Sequence, residues 1–242
     1  MNALNNLLFI ALPYVAIVIF LVGTIHRYRS SGFKYSSLSS QFLENRGGWY
    51  FLMMFHWGIL VLFFAHLFIF LFPGATLAWN SNPVRLVALQ VTLYMFGMSV
   101  LVGLSGLLVR RFRYPRLQVV TTRMDVTIEA MLITQIIFGL WIALGYRWGS
   151  SWFASDLSPY LWSIFKLNPQ IEAISSMPAV IKAHVVGAFL IIGMVPFTRL
   201  VHFLVAPFHY ILRPYQEVIW NWDPRKVRSA SSEWSKHRPR NT

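Results

Sequence analysis

Four histidines lie inside long apolar stretches of this chain: His56 and His66 in one, His184 and His202 in another. An imidazole in hydrocarbon is costly unless something binds it, so a histidine at membrane depth points to a functional site. Imidazole is also the commonest metal-binding side chain. Two pairs on two segments are the pattern expected if two metal cofactors are clamped across a bilayer. A single histidine on an apolar helix can instead be a hydrogen-bonded packing residue; four at matched depths favour ligation.

The elements that must position these rings are membrane helices. Of 242 residues, 56% are hydrophobic and 12% charged, against about 25% charged in soluble domains. The fold class this implies is all-α: a polytopic bundle over 1–222, followed by a polar, basic tail over 223–242. A crossing needs about 20 apolar residues, which places helices near 7–25, 50–72, 86–109, 126–146 and 180–206. Pro13 and Pro196 fall inside spans, where packed membrane helices tolerate them. Gly97, Gly103 and Gly106 would let neighbouring helices approach closely. Residues 1–6 carry no Lys or Arg, so the first apolar run reads as a retained helix rather than a cleaved signal.

The absence of cysteine excludes disulfides, thiolate-held iron–sulfur clusters and covalent c-type haem attachment on this chain. The net charge of +13 would suggest nucleic acid in a soluble protein. Here the basic residues flank apolar spans, so the expected partner is lipid and not nucleic acid. Arg27, Arg29, Lys34 and Arg46 follow the first span. Arg110, Arg111, Arg113, Arg116 and Arg123 follow the third, and Arg213, Arg225, Lys226, Arg228, Lys236, Arg238 and Arg240 follow the fifth. The intervening loops are poor in Lys and Arg. The positive-inside rule then puts the N-terminus outside and the C-terminus in the cytoplasm. The aromatic fourth loop (Trp148, Trp152, Phe153, Tyr160, Trp162, Phe165) is expected to lie along the outer interface as a short amphipathic element.

That topology makes the second and fifth spans antiparallel. Depth then matches His56 with His202 toward the cytoplasm, and His66 with His184 toward the outer face. At 1.5 Å per residue the members of each span are about 15 and 27 Å apart. An 18-residue step is about five turns, so an unbroken fifth helix would carry both rings on one stripe; the 10-residue step leaves His56 and His66 roughly 80° apart. Two tilted discs reconcile the unequal separations, whereas bare ions need further ligands that are not evident nearby. Haem b with two axial imidazoles is the natural tenant: a large apolar disc whose six-coordinate iron transfers electrons. Propionates need donors near the membrane edge. Arg199, one turn before His202, suits the inner haem; Lys182 and Arg85 suit the outer one. His26 and His237 lie in polar segments, and His209, after Pro207, reads as an interfacial packing or surface residue. Glu129, near the inner end of the fourth span, is expected to reach water or Arg123 and to pack and pair rather than carry protons. Gln135 lies in the same span.

The sequence resembles the gamma (cytochrome b) subunit of respiratory membrane-bound nitrate reductase. The fifth span carries Lys182-Ala-His184-Val-Val-Gly187 and Pro196-Phe-Thr-Arg-Leu-Val-His202, followed by Pro207 and Tyr215-Gln216. The second carries Phe55-His56-Trp-Gly-Ile-Leu and His66. Ser39-Ser-Gln41, Pro115-Arg116, Thr121-Thr122 and Asp125 also match.

The resemblance implies a five-helix bundle holding two haems b, the proximal on His56 and His202 and the distal on His66 and His184. It implies quinol oxidation near the distal haem at the outer face, with electrons passing inward to an iron–sulfur beta subunit. From there they would reach a molybdenum alpha subunit that reduces nitrate, in the cytoplasmic (inner) membrane of a bacterium or archaeon. For the quinol site His66 and Arg85 are the candidates, with an interfacial anchor as the other role open to Arg85. The family commonly has Lys at the position of Arg85 and Gly at that of Ala65, and arginine does not release a proton as lysine can. The same haem fold also serves complexes that oxidise nitrite or reduce sulfur or disulfides. A reading of another class is a non-redox anchor or small transporter whose histidines bond helix to helix.

Overall fold

A computed structural model describes residues 2–30 and 48–205. His209, His237, Ser39 to Gln41, Tyr215 and the tail lie outside the described residues. Among the described residues five helices are long and apolar enough to cross a membrane: Ala3–Ser30, Gly48–Leu71, Pro83–Arg113, Arg123–Gly145 and Ala179–Phe197. No strand occurs among the described residues. The chain is thus the all-α, five-span bundle its hydropathy implies. Many apolar side chains on these spans face outward, Trp57 at 61% exposure and Phe63 at 52%. Such a surface is stable against lipid and not against water.

Local chemistry sets the span ends. Asn82 starts the third span, its Oδ1 accepting from Val84 N at 3.0 Å, with Pro83 in the first turn. Thr122 starts the fourth through a capping box. Thr122 N donates to Asp125 Oδ2 at 2.9 Å, and Asp125 N donates to Thr122 Oγ1 at 3.2 Å. Both helices begin earlier than apolar content alone suggests, because capping residues are polar.

The second and third spans pack most closely, through glycine. A Cβ on Gly103 would stand 2.6 Å from Phe55 N and 2.8 Å from Phe51 O; one on Gly106 would overlap the Phe51 ring. Gly97 faces the fourth span instead, against Leu140. The close approach expected of these three glycines therefore occurs, on two different neighbours.

Two expectations change. The fifth span is not one helix to 206. Its α-helix covers Ala179–Met194, passes into a 3-10 turn at Val195–Phe197, and breaks at Thr198, whose φ of −116° and ψ of 175° are extended. A second 3-10 stretch covers Arg199–Val205. Pro196 is the physical cause: it lacks an N–H and its ring crowds the carbonyl one turn back. The five-turn stripe joining His184 to His202 therefore does not apply.

The fourth loop is also more than an interfacial element. Residues 149–165 are helical and bury Phe153, Ala154, Leu157, Tyr160 and Ile164. They plug one end of the bundle. Tyr160 Oη donates to Phe9 O at 2.9 Å, Trp162 Nε1 to Phe70 O at 3.0 Å, and Tyr14 Oη to Ile164 O at 3.1 Å. Burial, with Tyr14 alongside, pushes the Tyr160 phenol above its ordinary range and keeps it a neutral donor. We call this the capped end and the opposite one, with Arg27, Arg111 and Arg199, the arginine end.

Candidate cofactor sites

At the arginine end the rings of His56 and His202 face each other, with centroids 6.4 Å apart and planes at 60°. A first-row metal holds an imidazole nitrogen at about 2 Å, so two rings sharing one metal stand roughly 6 Å apart. The tautomers also suit a ligand. His56 Nδ1 lies 2.9 Å from Leu52 O, and His202 Nδ1 lies 2.6 Å from Arg199 O. A carbonyl only accepts, so Nδ1 carries the proton and Nε2 keeps its lone pair. This is the outer-shell bond that orients metal-binding histidines.

His202 owes its place to the break at Pro196. The freed carbonyls of Pro196 and Thr198 accept from Arg27 Nη1 at 2.6 and 2.8 Å. Gly23 makes room for the Pro196 ring, since a Cβ there would stand 2.9 Å from it. One turn before His202, Arg199 Nε pairs with Asp125 Oδ1 at 2.8 Å, and its Nη2 donates to Val120 O at 2.9 Å. Asp125 is 4% exposed and also lies 3.8 Å from Arg111 Nη1. Arg111 Nε reaches both oxygens of Glu129 at 3.0 Å. Glu129 thus pairs as expected, but with Arg111 of the third span rather than with Arg123. Together the first, third and fourth spans latch the broken end of the fifth.

At the capped end His66 and His184 line one cavity of about 440 Å³. Its walls are mainly hydrocarbon, and among the described residues no Lys, Arg, Asp or Glu lines it. His66 Nδ1 lies 2.7 Å from Leu62 O, again leaving Nε2 as the lone-pair nitrogen. His184 differs: its Nδ1 is buried with no hydrogen-bond partner among the described residues. Gln135 Nε2 donates to the His184 carbonyl at 2.6 Å, and Gly187 leaves the space its amide occupies. Gly139 opens the wall opposite, where a Cβ would stand 3.3 Å from His184 Cε1. The cavity has the volume and apolar lining to bury a large flat group between two imidazoles.

The other candidate residues fall outside these clusters. Arg85 is exposed, its guanidinium carbon 5.4 Å from the centroid of the Trp79 ring, and it does not line the cavity. Lys182 is half-buried two residues before His184, also off the cavity wall. Neither pair gathers further ligands: among the described residues no three His, Asp or Glu converge as a metal site. Sequence reasoning missed the polar groups on the cavity wall, Gln90 and Ser150. It counted Arg27 only as a positive charge. The caps at Asn82 and Thr122, which start the spans that carry Gln90 and Asp125, were not singled out either.

The fold and histidines define a multi-pass helical membrane protein with one facing imidazole pair, His56 and His202, and a second pair, His66 and His184, on the wall of one cavity. The family model for the nitrate reductase gamma subunit matches residues 5–221. The chain is 32% identical over 219 residues to respiratory nitrate reductase 2 gamma chain of Escherichia coli K12, covering 89% of this chain and 96% of that one. It is 27% identical over 209 residues to nitrate reductase gamma chain of Bacillus subtilis 168, covering 84% and 93%. It is 30% identical over 222 residues to nitrate reductase-like protein NarX of Mycobacterium tuberculosis H37Rv, covering 88% of this chain and 34% of that protein. The chain belongs to the nitrate reductase gamma subunit family, membrane subunits of an oxidoreductase of nitrate respiration.

Proposed function

We propose that this chain is the di-haem, quinol-oxidising membrane subunit of a nitrate reductase complex. His56 and His202 would ligate the inner haem b, and His66 and His184 the outer one. The observation that carries the reading is the tautomer set: three of the four rings give Nδ1 to a backbone carbonyl and keep Nε2 as the lone-pair nitrogen, with His56 and His202 ring to ring. Histidines that merely joined helices would spend both nitrogens on protein. Each pair would supply two imidazole nitrogens, which suits a metal already held by a prosthetic group. When bound, the two haems supply one-electron carriage across the membrane.

The chain's own residues do the rest. Hydrocarbon walls exclude water from the capped-end cavity, where His66 and His184 would also border the quinol. The latch from Asp125 and Arg27 orients His202. Lys182, half-buried near His184, is the charged donor proposed for the outer propionates; Arg199, held against Asp125, is proposed to stand at the edge of the inner ones. We infer an anchoring role for Arg85, seated over Trp79, rather than contact with quinol. The exposed Arg113 and Arg123 are proposed to face the cytoplasm and to contribute to docking an iron–sulfur beta subunit, which passes electrons to a molybdenum alpha subunit. This orientation puts the capped end at the outer face of a bacterial or archaeal inner membrane.

A reduced-minus-oxidised visible spectrum with a haem count on the purified complex tests the reading. The expected result is two b-type haems per chain, falling to one in His66→Ala. Absence of any reduced b-type band removes the redox account.

A further inference from the structure

The hydrocarbon wall of the capped-end cavity makes each polar group on it informative. Ser150 Oγ accepts from Asn80 Nδ2 at 2.9 Å and from Gln90 Nε2 at 2.6 Å. A hydroxyl has two acceptor lone pairs and one O–H. Both lone pairs are taken, so Ser150 has only its proton left to offer. The residue is 4% exposed, which keeps bulk water from taking that proton. Two residues on, Trp152 Nε1 is buried with no acceptor among the described residues, and an indole N–H can only donate. Ser150 and Trp152 both line the cavity that holds His66 and His184.

The chain reaches this arrangement by a sharp turn. Trp148 adopts the left-handed region at φ 65°, which bulky residues rarely enter, and Gly149 follows it onto the cavity wall. Asn80, from the short helix Pro73–Asn80, and Gln90, from the third span, then fix the Ser150 oxygen from two sides. Buried donors on two residues that line one cavity call for an acceptor oxygen there; Trp152 also borders the neighbouring cavity that holds Asp156. No cation among the described residues lines the wall, so a neutral oxygen suits these donors better than a carboxylate, whose charge would be buried unpaired.

We propose that Ser150 Oγ–H and Trp152 Nε1–H bind an oxygen of the quinone head group at the capped end. This rests on the quinol-oxidising reading above and names the groups that hold the substrate. Neither group accepts a proton from it. They orient the ring, and because a carbonyl oxygen is a better acceptor than a phenolic one, they hold quinone more tightly than quinol.

The test uses the intact complex in detergent, with menadione as the binding probe and menadiol as the electron donor. Trp152→Phe keeps the ring and deletes the N–H; Ser150→Ala deletes the hydroxyl and Ser150→Thr restores it. Trp152→Phe and Ser150→Ala are each expected to weaken menadione binding about five- to tenfold, the size of one hydrogen bond. The KM for menadiol should rise less than that, haem content should not change, and Ser150→Thr should recover most of the affinity. Unchanged menadione affinity in Trp152→Phe, which breaks no bond within the protein, overturns the proposal. So does loss of haem in step with affinity, which reassigns the donors to porphyrin carboxylates. A wild-type complex that binds no menadione and oxidises no menadiol removes instead the quinol reading beneath it.

Discussion

At the arginine end, His202 rides on a 3-10 stretch whose carbonyls are pinned by Arg27 and whose Arg199 is paired with Asp125. At the capped end, His184 sits in an unbroken α-helix and its surroundings are hydrocarbon, glycine and neutral amides. The backbone explains the difference. A helix broken at proline leaves carbonyls without intrahelical donors, and those must be satisfied by side chains. An intact helix makes no such demand, so side chains near His184 are free to shape a cavity instead. One end spends its polar groups on holding the His202 ring; the other leaves buried donors on residues that line a cavity.

The largest effects should come from the rings themselves. His202→Ala and His184→Ala are each expected to cost one haem of two, and not the same one. Spectra of the two variants should therefore add up to the spectrum of the wild type. If both variants lose the same component, the depth pairing fails and with it the contrast between the ends.

Next in size is the latch. Asp125→Ala leaves Arg199 and Arg111 without their shared, nearly buried carboxylate and removes half of a capping box. Arg111 keeps Glu129, but taking the nearly buried carboxylate from Arg199 should cost about 3 kcal/mol of stability. The expected pattern is a lower melting temperature with loss or spectral shift of the arginine-end haem alone. An equal shift at the capped end would mean that Asp125 supports the bundle as a whole.

Much of this was legible in the sequence, for physical reasons that differ by feature. Five spans and their antiparallel order follow from the length of apolar runs and the placement of arginines, which lipid and the membrane potential enforce residue by residue. Depth alone put His56 beside His202 and His66 with His184. The break in the fifth span was not read, although Pro196 announced it, because membrane helices often absorb a proline. Arg27 was invisible as a carbonyl donor since its targets, Pro196 and Thr198, exist as free acceptors only after the break. Asn80, Gln90 and Ser150 come from three separate segments and converge only in the folded chain. The plug over 149–165 looked interfacial because its aromatic content suits a membrane surface as well as a core.

A smaller perturbation probes the capped end without deleting anything. In Gly139→Ala the new methyl would stand 3.3 Å from His184 Cε1, tighter than ordinary contact, so the ring must yield by a few tenths of an ångström. Overpacking of this kind costs about 1 kcal/mol. The expected outcome is a shifted band for the capped-end haem with full haem content. An unchanged spectrum would show that the fourth span can retreat and that the wall is softer than its glycine suggests.

The smallest effect is expected at Arg85, and it separates surface from site. Its guanidinium lies over Trp79 at 5.4 Å, exposed and away from the cavity wall. An exposed cation–π contact contributes about 0.5–1 kcal/mol, so Arg85→Ala should lower the melting temperature slightly. The KM for menadiol should stay at its wild-type value, because neutral donors on the cavity wall hold the head group. A rise of several-fold in KM with unchanged stability would bring the arginine into the quinol site. The capped end would then use charge as the other end does, and the division between an ionic latch and a neutral cavity would no longer hold.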